Sequence, residues 1–231
     1  MQKMKHWSKR IVVYLIGLFI MALGVSVSKA SDLGVSPVNS IPSVMNEICG
    51  IDMGICTTVI FIGFIFIQFL ILRKDFKAIY LLQIFCSAIF GFFVSISNQI
   101  ANNILPVCGN YGMRLVYIAI SIILVALGIL LYLEANILSL PGEGVMQAIS
   151  DKTGIVLSSS KMIFDWTVVI IAAILSLIFI GKLAGVREGT VIAAFGVGIC
   201  LKMLNKILLK PVKNFLDEMV EDNQTNSVFS N

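Results

Sequence analysis

Lys161 and Asp165 stand four residues apart in an apolar run, so a helix places the ammonium and the carboxylate on one face. Either charge alone is costly in such a setting, so the two must pair or face a polar cavity. The competing reading is that Lys161 snorkels to an interface and Asp165 merely satisfies it. Two polar stretches supply the other reactive groups: Asp32, Pro37 and Asn39 in the first, Glu143 and Gln147 in the second. The chemistry open to these seven residues is binding of a solute or ion. Glu143 and Asp165 suit a cation or a proton, and Lys161 suits an anionic group. A helix that starts at Pro37 or Pro141 presents free N–H groups and the positive end of its dipole.

Covalent chemistry has less support. The single histidine is His6, in a basic N-terminal tail, so no His-based metal cluster or triad can be assembled. No H-E-x-x-H, P-loop or nucleophile elbow occurs. Ser158–Ser160 adjoin Lys161, but neighbours on a helix do not face each other. The expectation is a protein that is not an enzyme and that needs no cofactor or metal. Cys56, Cys86 and Cys200 fall in apolar runs, where a thiol behaves as a small apolar group. Cys49 and Cys108 fall in loops on one side and could pair, although free thiols are expected.

The elements that position these residues follow from composition. Of 231 residues, 58% are hydrophobic and 13% charged, with a mean hydropathy of +0.97. A water-soluble fold of this length cannot hide so much apolar surface, so the solvent must be lipid. Six stretches approach the roughly 20 residues that cross a bilayer: Ile11–Ser28, Ile55–Leu72, Ala78–Ser97, Leu115–Leu133, Met162–Ile180 and Thr190–Leu209. Each must be a helix, because strand edges cannot be satisfied in lipid. The predicted fold class is all-α, a polytopic membrane helix bundle in one domain over residues 11–209. Residues 1–10 form a basic cytoplasmic tail and 210–231 a cytoplasmic tail, partly disordered from Asp217 onward. Lys3, Lys5, Lys9 and Arg10, then Arg73, Lys74 and Lys77, then Lys202, Lys206, Lys210 and Lys213 place both termini in the cytoplasm, with Lys182 and Arg187 dissenting. Gln68, Gln83, Ser95 and Ser97 within spans are expected to bond between helices. The Gly50/Gly54 spacing and Gly196 and Gly198 read as packing features.

The chain is also written twice. A shift of 104 residues lays Ala22-Leu23-Gly24 on Ala126-Leu127-Gly128, Pro37 on Pro141 and Gly50-Ile51 on Gly154-Ile155. Repeat one covers about 11–104 and repeat two about 115–209. Three spans per repeat is an odd number, so the halves enter the membrane from opposite sides. That predicts two inverted three-helix repeats with a site near their axis. The runs after each Pro, Val38–Ile48 and Val145–Ser150, are too short to span, and read either as re-entrant half-helices or as surface loops.

Ala-Leu-Gly, Asp32-Leu33-Gly34-x-x-Pro37, Leu140-Pro141-Gly142-Glu143-Gly144 and Gly185-x-x-x-Gly189-Thr190 before Phe195-Gly196 resemble the YczE/YitT-type bacterial multi-pass membrane proteins. The resemblance runs from about Ile11 to about Leu209, and departs from that group at Val38 and Glu143. It implies the architecture and a bacterial cytoplasmic membrane, and names no substrate. The expected function is a small-molecule transporter or permease. The alternative is a non-transporting membrane partner: a substrate-capture subunit, or an assembly or regulatory factor of another complex. Expected partners are the lipid bilayer, an unknown small molecule or ion, and a protein partner or second copy, with no nucleic acid.

Overall fold

The computed structural model describes residues 8–157, 159–183 and 185–216 with their side chains, and the backbone alone of 2–7, 158 and 217–228. The order is α1 (Gln2–Ala30), α2 (Pro37–Cys49), α3 (Met53–Leu72), α4 (Gln83–Ile104), α5 (Tyr111–Ala135), α6 (Pro141–Thr153), α7 (Leu157–Ile180) and α8 (Glu188–Val228). Two short 3-10 turns, Arg73–Asp75 and Ala78–Leu82, join α3 to α4. No strand occurs among the described residues. The side chains of the tail from Asp217, expected to be disordered, lie outside those described.

Six stretches are long and apolar enough to cross a membrane: Ser8–Ala30, Met53–Asp75, Ala78–Ile104, Tyr111–Ala135, Ser159–Ile180 and Glu188–Leu216. They contain the six runs read from the sequence, apart from small differences at their ends. Large apolar side chains such as Phe66, Phe85, Ile178 and Phe195 point outward, while Leu18, Phe61 and Phe90 are fully buried. An outer surface of that kind requires hydrocarbon as solvent. The chain is an integral membrane protein.

α2 and α6 are the short segments, each 13 residues long. The physical reason is local. Proline sits at the first turn of each, where its missing N–H costs nothing. Gly50 and Gly154 end them in the left-handed region, φ 66° and 72°, which glycine adopts without a Cβ penalty. Asp32 and Asn136, again 104 residues apart, both turn the chain at positive φ before the prolines. The two halves therefore share their turns as well as their spans. Gly50 is thus a cap rather than a packing residue.

Packing shows how the halves relate. A Cβ on Gly24 would come 2.8 Å from the Val125 backbone nitrogen, and one on Gly128 2.6 Å from that of Met21. Met21 and Val125 are themselves 104 apart, as are Gly24 and Gly128. A contact and its exchanged copy in one interface are the mark of a two-fold relation, here between α1 and α5. Val38 lies against Gly142, its own equivalent, with Cγ1 3.1 Å from where a Cβ would stand. Only residues on the axis can meet their equivalents, so the two half-helix starts converge there. Each half-helix also crosses to the other repeat, α2 onto α7 and α6 onto α3.

The symmetry is broken at the outer spans. α3 and α4 are clamped at Gly54 and Gly91, whereas among the described residues α7 and α8, their equivalents, show no such clamp. α8 packs on α5, as its equivalent α4 packs on α1. Gly196 there faces Ile122, but Gly198 has nothing near it and does no packing.

Candidate functional site

The half-helix starts frame a cavity of about 70 Å³. α2 contributes Pro37, Val38 and Asn39; α6 contributes Glu143 and Met146; α7 contributes Lys161 and Asp165. Met21, Val125 and Ile129 close it from the α1–α5 crossing, and Ala193, Ala194 and Val197 of α8 form the far wall. A second, smaller void beside Trp166, Thr190 and Val191 shares Pro37, Asp165 and Ala194 with it. The gap between α7 and α8 is therefore continuous with the cavity wall.

Lys161 Nζ lies 2.7 Å from Asp165 Oδ2, the pairing that i,i+4 spacing allows. The exposures are unequal: the Lys161 side chain is 46% exposed and that of Asp165 10%. Lys161 is half-exposed and lines the cavity beside its partner. The second carboxylate oxygen, Asp165 Oδ1, has no hydrogen-bond partner among the described residues, and neither has Asn39 Oδ1. The Asn39 amide nitrogen is held by Ser36 Oγ at 2.9 Å, which aims the opposite, oxygen side away from that bond. Glu143 is half-buried in the first turn of α6, where a carboxylate complements the helix dipole. Tyr132 of α5 comes up to it, although its hydroxyl forms no bond of hydrogen-bonding geometry. Tyr14 of α1 meets the Tyr132 ring edge-on at 6.1 Å and donates to the Leu138 carbonyl, fixing the entry into α6.

The site thus brings together Pro37, Asn39, Glu143, Lys161 and Asp165, which the sequence separates by up to 128 residues. Asp32 and Gln147 go elsewhere. Asp32 Oδ2 accepts from Arg114 at 2.7 Å and from Arg187 at 3.4 Å, and its own carbonyl accepts from Arg187 at 2.9 Å. With Gly189 N–H donating to the Leu33 carbonyl at 2.8 Å, the α1–α2 turn is tied to the start of α8. Asp32 is a turn and docking residue, and pairing with it occupies Arg187, one of the two basic residues that dissent from the topology. Gln147 projects outward and donates to Asp151 at 2.7 Å. Glu134, at the end of α5, faces Lys213 at 3.8 Å.

One further expectation needs correction, and one holds. Gln68 and Gln83 do not bond across their helices: Gln68 Oε1 and both polar atoms of Gln83 lack partners among the described residues. They crowd Gly144 of α6, where a Cβ would lie 2.8 Å from Gln68 Oε1. The cysteines are all free, and Cys108 Sγ points at the Ala30 carbonyl rather than at Cys49. Asn39 Oδ1 and the aromatic pair Tyr14–Tyr132 were not distinguishable in sequence, because their meaning depends on which helices meet.

Residues 8–206 match the sequence pattern of a family of unknown function, DUF6198. The chain belongs to that family. The match takes in five apolar stretches whole, most of the sixth and both half-helices, so the axial cavity lies within the matched region. No curated protein and no solved structure matches the chain.

The two predicted residues outside the cavity give a control. Asp32→Asn keeps a residue that tolerates positive φ and loses an ion pair whose acidic partner is 69% exposed. The expected cost is about 1 kcal/mol or less, and for Gln147→Ala about 0.5 kcal/mol or less. Melting of the purified variants in detergent checks both.

Proposed function

We propose that the protein is a transporter or permease for a small polar solute, bound at the axis of two inverted repeats in a bacterial cytoplasmic membrane. The observation that carries this reading is the composition of the axial cavity: Pro37 and Asn39 from one repeat, Glu143, Lys161 and Asp165 from the other. Symmetric inverted repeats allow one binding place to be exposed alternately to either side by rocking the halves about it. Charged groups kept inside apolar helices are costly to retain without a use of this kind. The basic ends of the chain support cytoplasmic termini, and the resemblance to YczE/YitT-type proteins supports the setting. Its chemistry is binding and release, with no covalent step assigned to any residue.

The test is uptake of a panel of small radiolabelled solutes into vesicles holding the purified protein. Glu143→Gln and Asp165→Asn are each expected to lower uptake of the accepted solute at least tenfold, with Asp32→Asn unchanged. Wild-type uptake in both cavity variants would sink the site.

A further inference from the structure

We propose that the face of α8 between Gly198 and Lys210 binds an anionic phospholipid, held by Lys202, Lys206 and Lys210 in the gap between α7 and α8. The site stands apart from the transport reading above. α8 is the most open of the six spans: 6% of its apolar stretch is buried, against 28% or more in each of the others.

Val191 and Ala194 line the void that α8 shares with Asp165, Trp166 and Val169 of α7. Steps of three and four residues from there reach Gly198, Lys202, Asn205 and Leu209, which therefore lie on the same helical face. These residues line a groove together with Lys206 and Lys210. The groove thus continues the gap between α7 and α8 toward the far end of the helix. In the first repeat the clamp at Gly54 and Gly91 closes the equivalent space, whereas a Cβ on Gly198 would meet nothing within 4 Å.

The polar groups of this groove lie deep and unanswered. Lys213 faces Glu134 at 3.8 Å and Phe215 lies under Lys9 at 5.0 Å, so the ends of α1, α5 and α8 share one level. Lys202 stands three turns before Lys213, about 16 Å along the helix, more than its four-carbon stem spans. Arg10, Arg114, Lys161 and Lys213 each meet an oxygen of the bundle. Lys202, Lys206 and Lys210 are exposed and have no hydrogen-bond or ion-pair partner among the described residues. Ammonium groups on successive turns suit a phosphate, whose oxygens accept charge-assisted bonds from several donors, and Asn205 adds a neutral donor. Exposed Ile199, Met203 and Ile207 flank the stripe and offer acyl chains an apolar bed. Basic pockets beside membrane helices hold anionic headgroups in this way. A second copy of the chain is a poorer occupant, because a two-fold contact on this face would set the lysine stripe against itself.

The experiment uses the full chain, purified in detergent and returned to phosphatidylglycerol or phosphatidylcholine. Native mass spectrometry counts the retained lipid, and thermal melting reads its effect. Wild-type protein is expected to hold phosphatidylglycerol at least tenfold more tightly than phosphatidylcholine, and to melt higher in it. Lys202→Gln, Lys206→Gln and Lys210→Gln made together should abolish the preference, and the same three positions changed to Arg should keep it. Arg73→Gln, Lys74→Gln and Lys77→Gln together remove as much charge at another cluster and should leave the preference within twofold. Equal loss in the two glutamine triples would overturn the site in favour of general attraction to basic surface. Equal retention of both lipids by wild-type protein would overturn it whether or not the variants fold. A second copy or a partner protein that displaces the lipid in the native spectra would overturn it as well.

Discussion

Lys161→Met is expected to destabilise the protein more than Asp165→Asn, and the double variant to recover most of the loss. The asymmetry follows from burial. Asp165 is the more deeply placed partner, its side chain 10% exposed against 46% for Lys161. Removing the lysine strands a buried carboxylate that already has one unpartnered oxygen. Removing the carboxylate leaves a lysine whose long stem can carry its head toward water. Breaking a buried pair from one side costs about 3–5 kcal/mol, whereas replacing both partners can be close to neutral. Lys161→Met should approach that range and Asp165→Asn fall below it. Thermal melts of the four proteins in one detergent decide the matter. If the double variant melts no higher than Lys161→Met alone, the pair is not what holds Asp165 in place.

The second large effect lies away from the cavity. Gly54→Ala or Gly91→Val should prevent the first repeat from closing, with loss of most folded protein. A Cβ on Gly54 would stand 1.9 Å from the Gly91 carbonyl oxygen, and one on Gly91 2.5 Å from that of Gly54. Both obstacles are backbone, so neither can rotate out of the way, and α4 would have to move off α3 bodily. That move would also break the bond from Ser95 to Asp52, which caps α3, and the Thr58 bond to the Ser87 carbonyl. The cost should exceed the roughly 1–3 kcal/mol of ordinary overpacking. Gly63 in the same helix has nothing within 4 Å, so Gly63→Ala should be neutral or gain up to about 1 kcal/mol of helix propensity. Monodispersity on size-exclusion chromatography separates these outcomes. A well-folded Gly54→Ala protein would mean that the α3–α4 clamp is not required.

The two predictions probe different kinds of information. The clamp depends on which glycine of many meets a backbone, and that is invisible along the chain. Gly54 read as a packing residue in sequence but with no partner named, and Gly91 and Gly198 look alike there. One packs at van der Waals limits and the other faces open space.

What the sequence by itself determined was everything that the solvent and local backbone rules decide. Lipid demands long apolar helices with internally bonded backbones, so six spans and an all-α fold could be read from composition and run length. Proline at a first helical turn and glycine in a left-handed cap act within a few residues, so both half-helices and their 104-residue relation were legible. Lys161 and Asp165 were legible as a pair because helical spacing alone brings them together. The tertiary structure decided what depends on the other repeat. Asp32 was drawn out of the site by Arg114 and Arg187, which approach it from α5 and from the turn before α8. Gln147 sits one turn beyond Glu143, yet only the packing of α6 on α3 and α7 says which of the two faces inward. The physical reason is that a helix fixes spacing around its own axis, while the direction of its polar face, and the charge that answers it, are set by neighbours brought in from other parts of the chain.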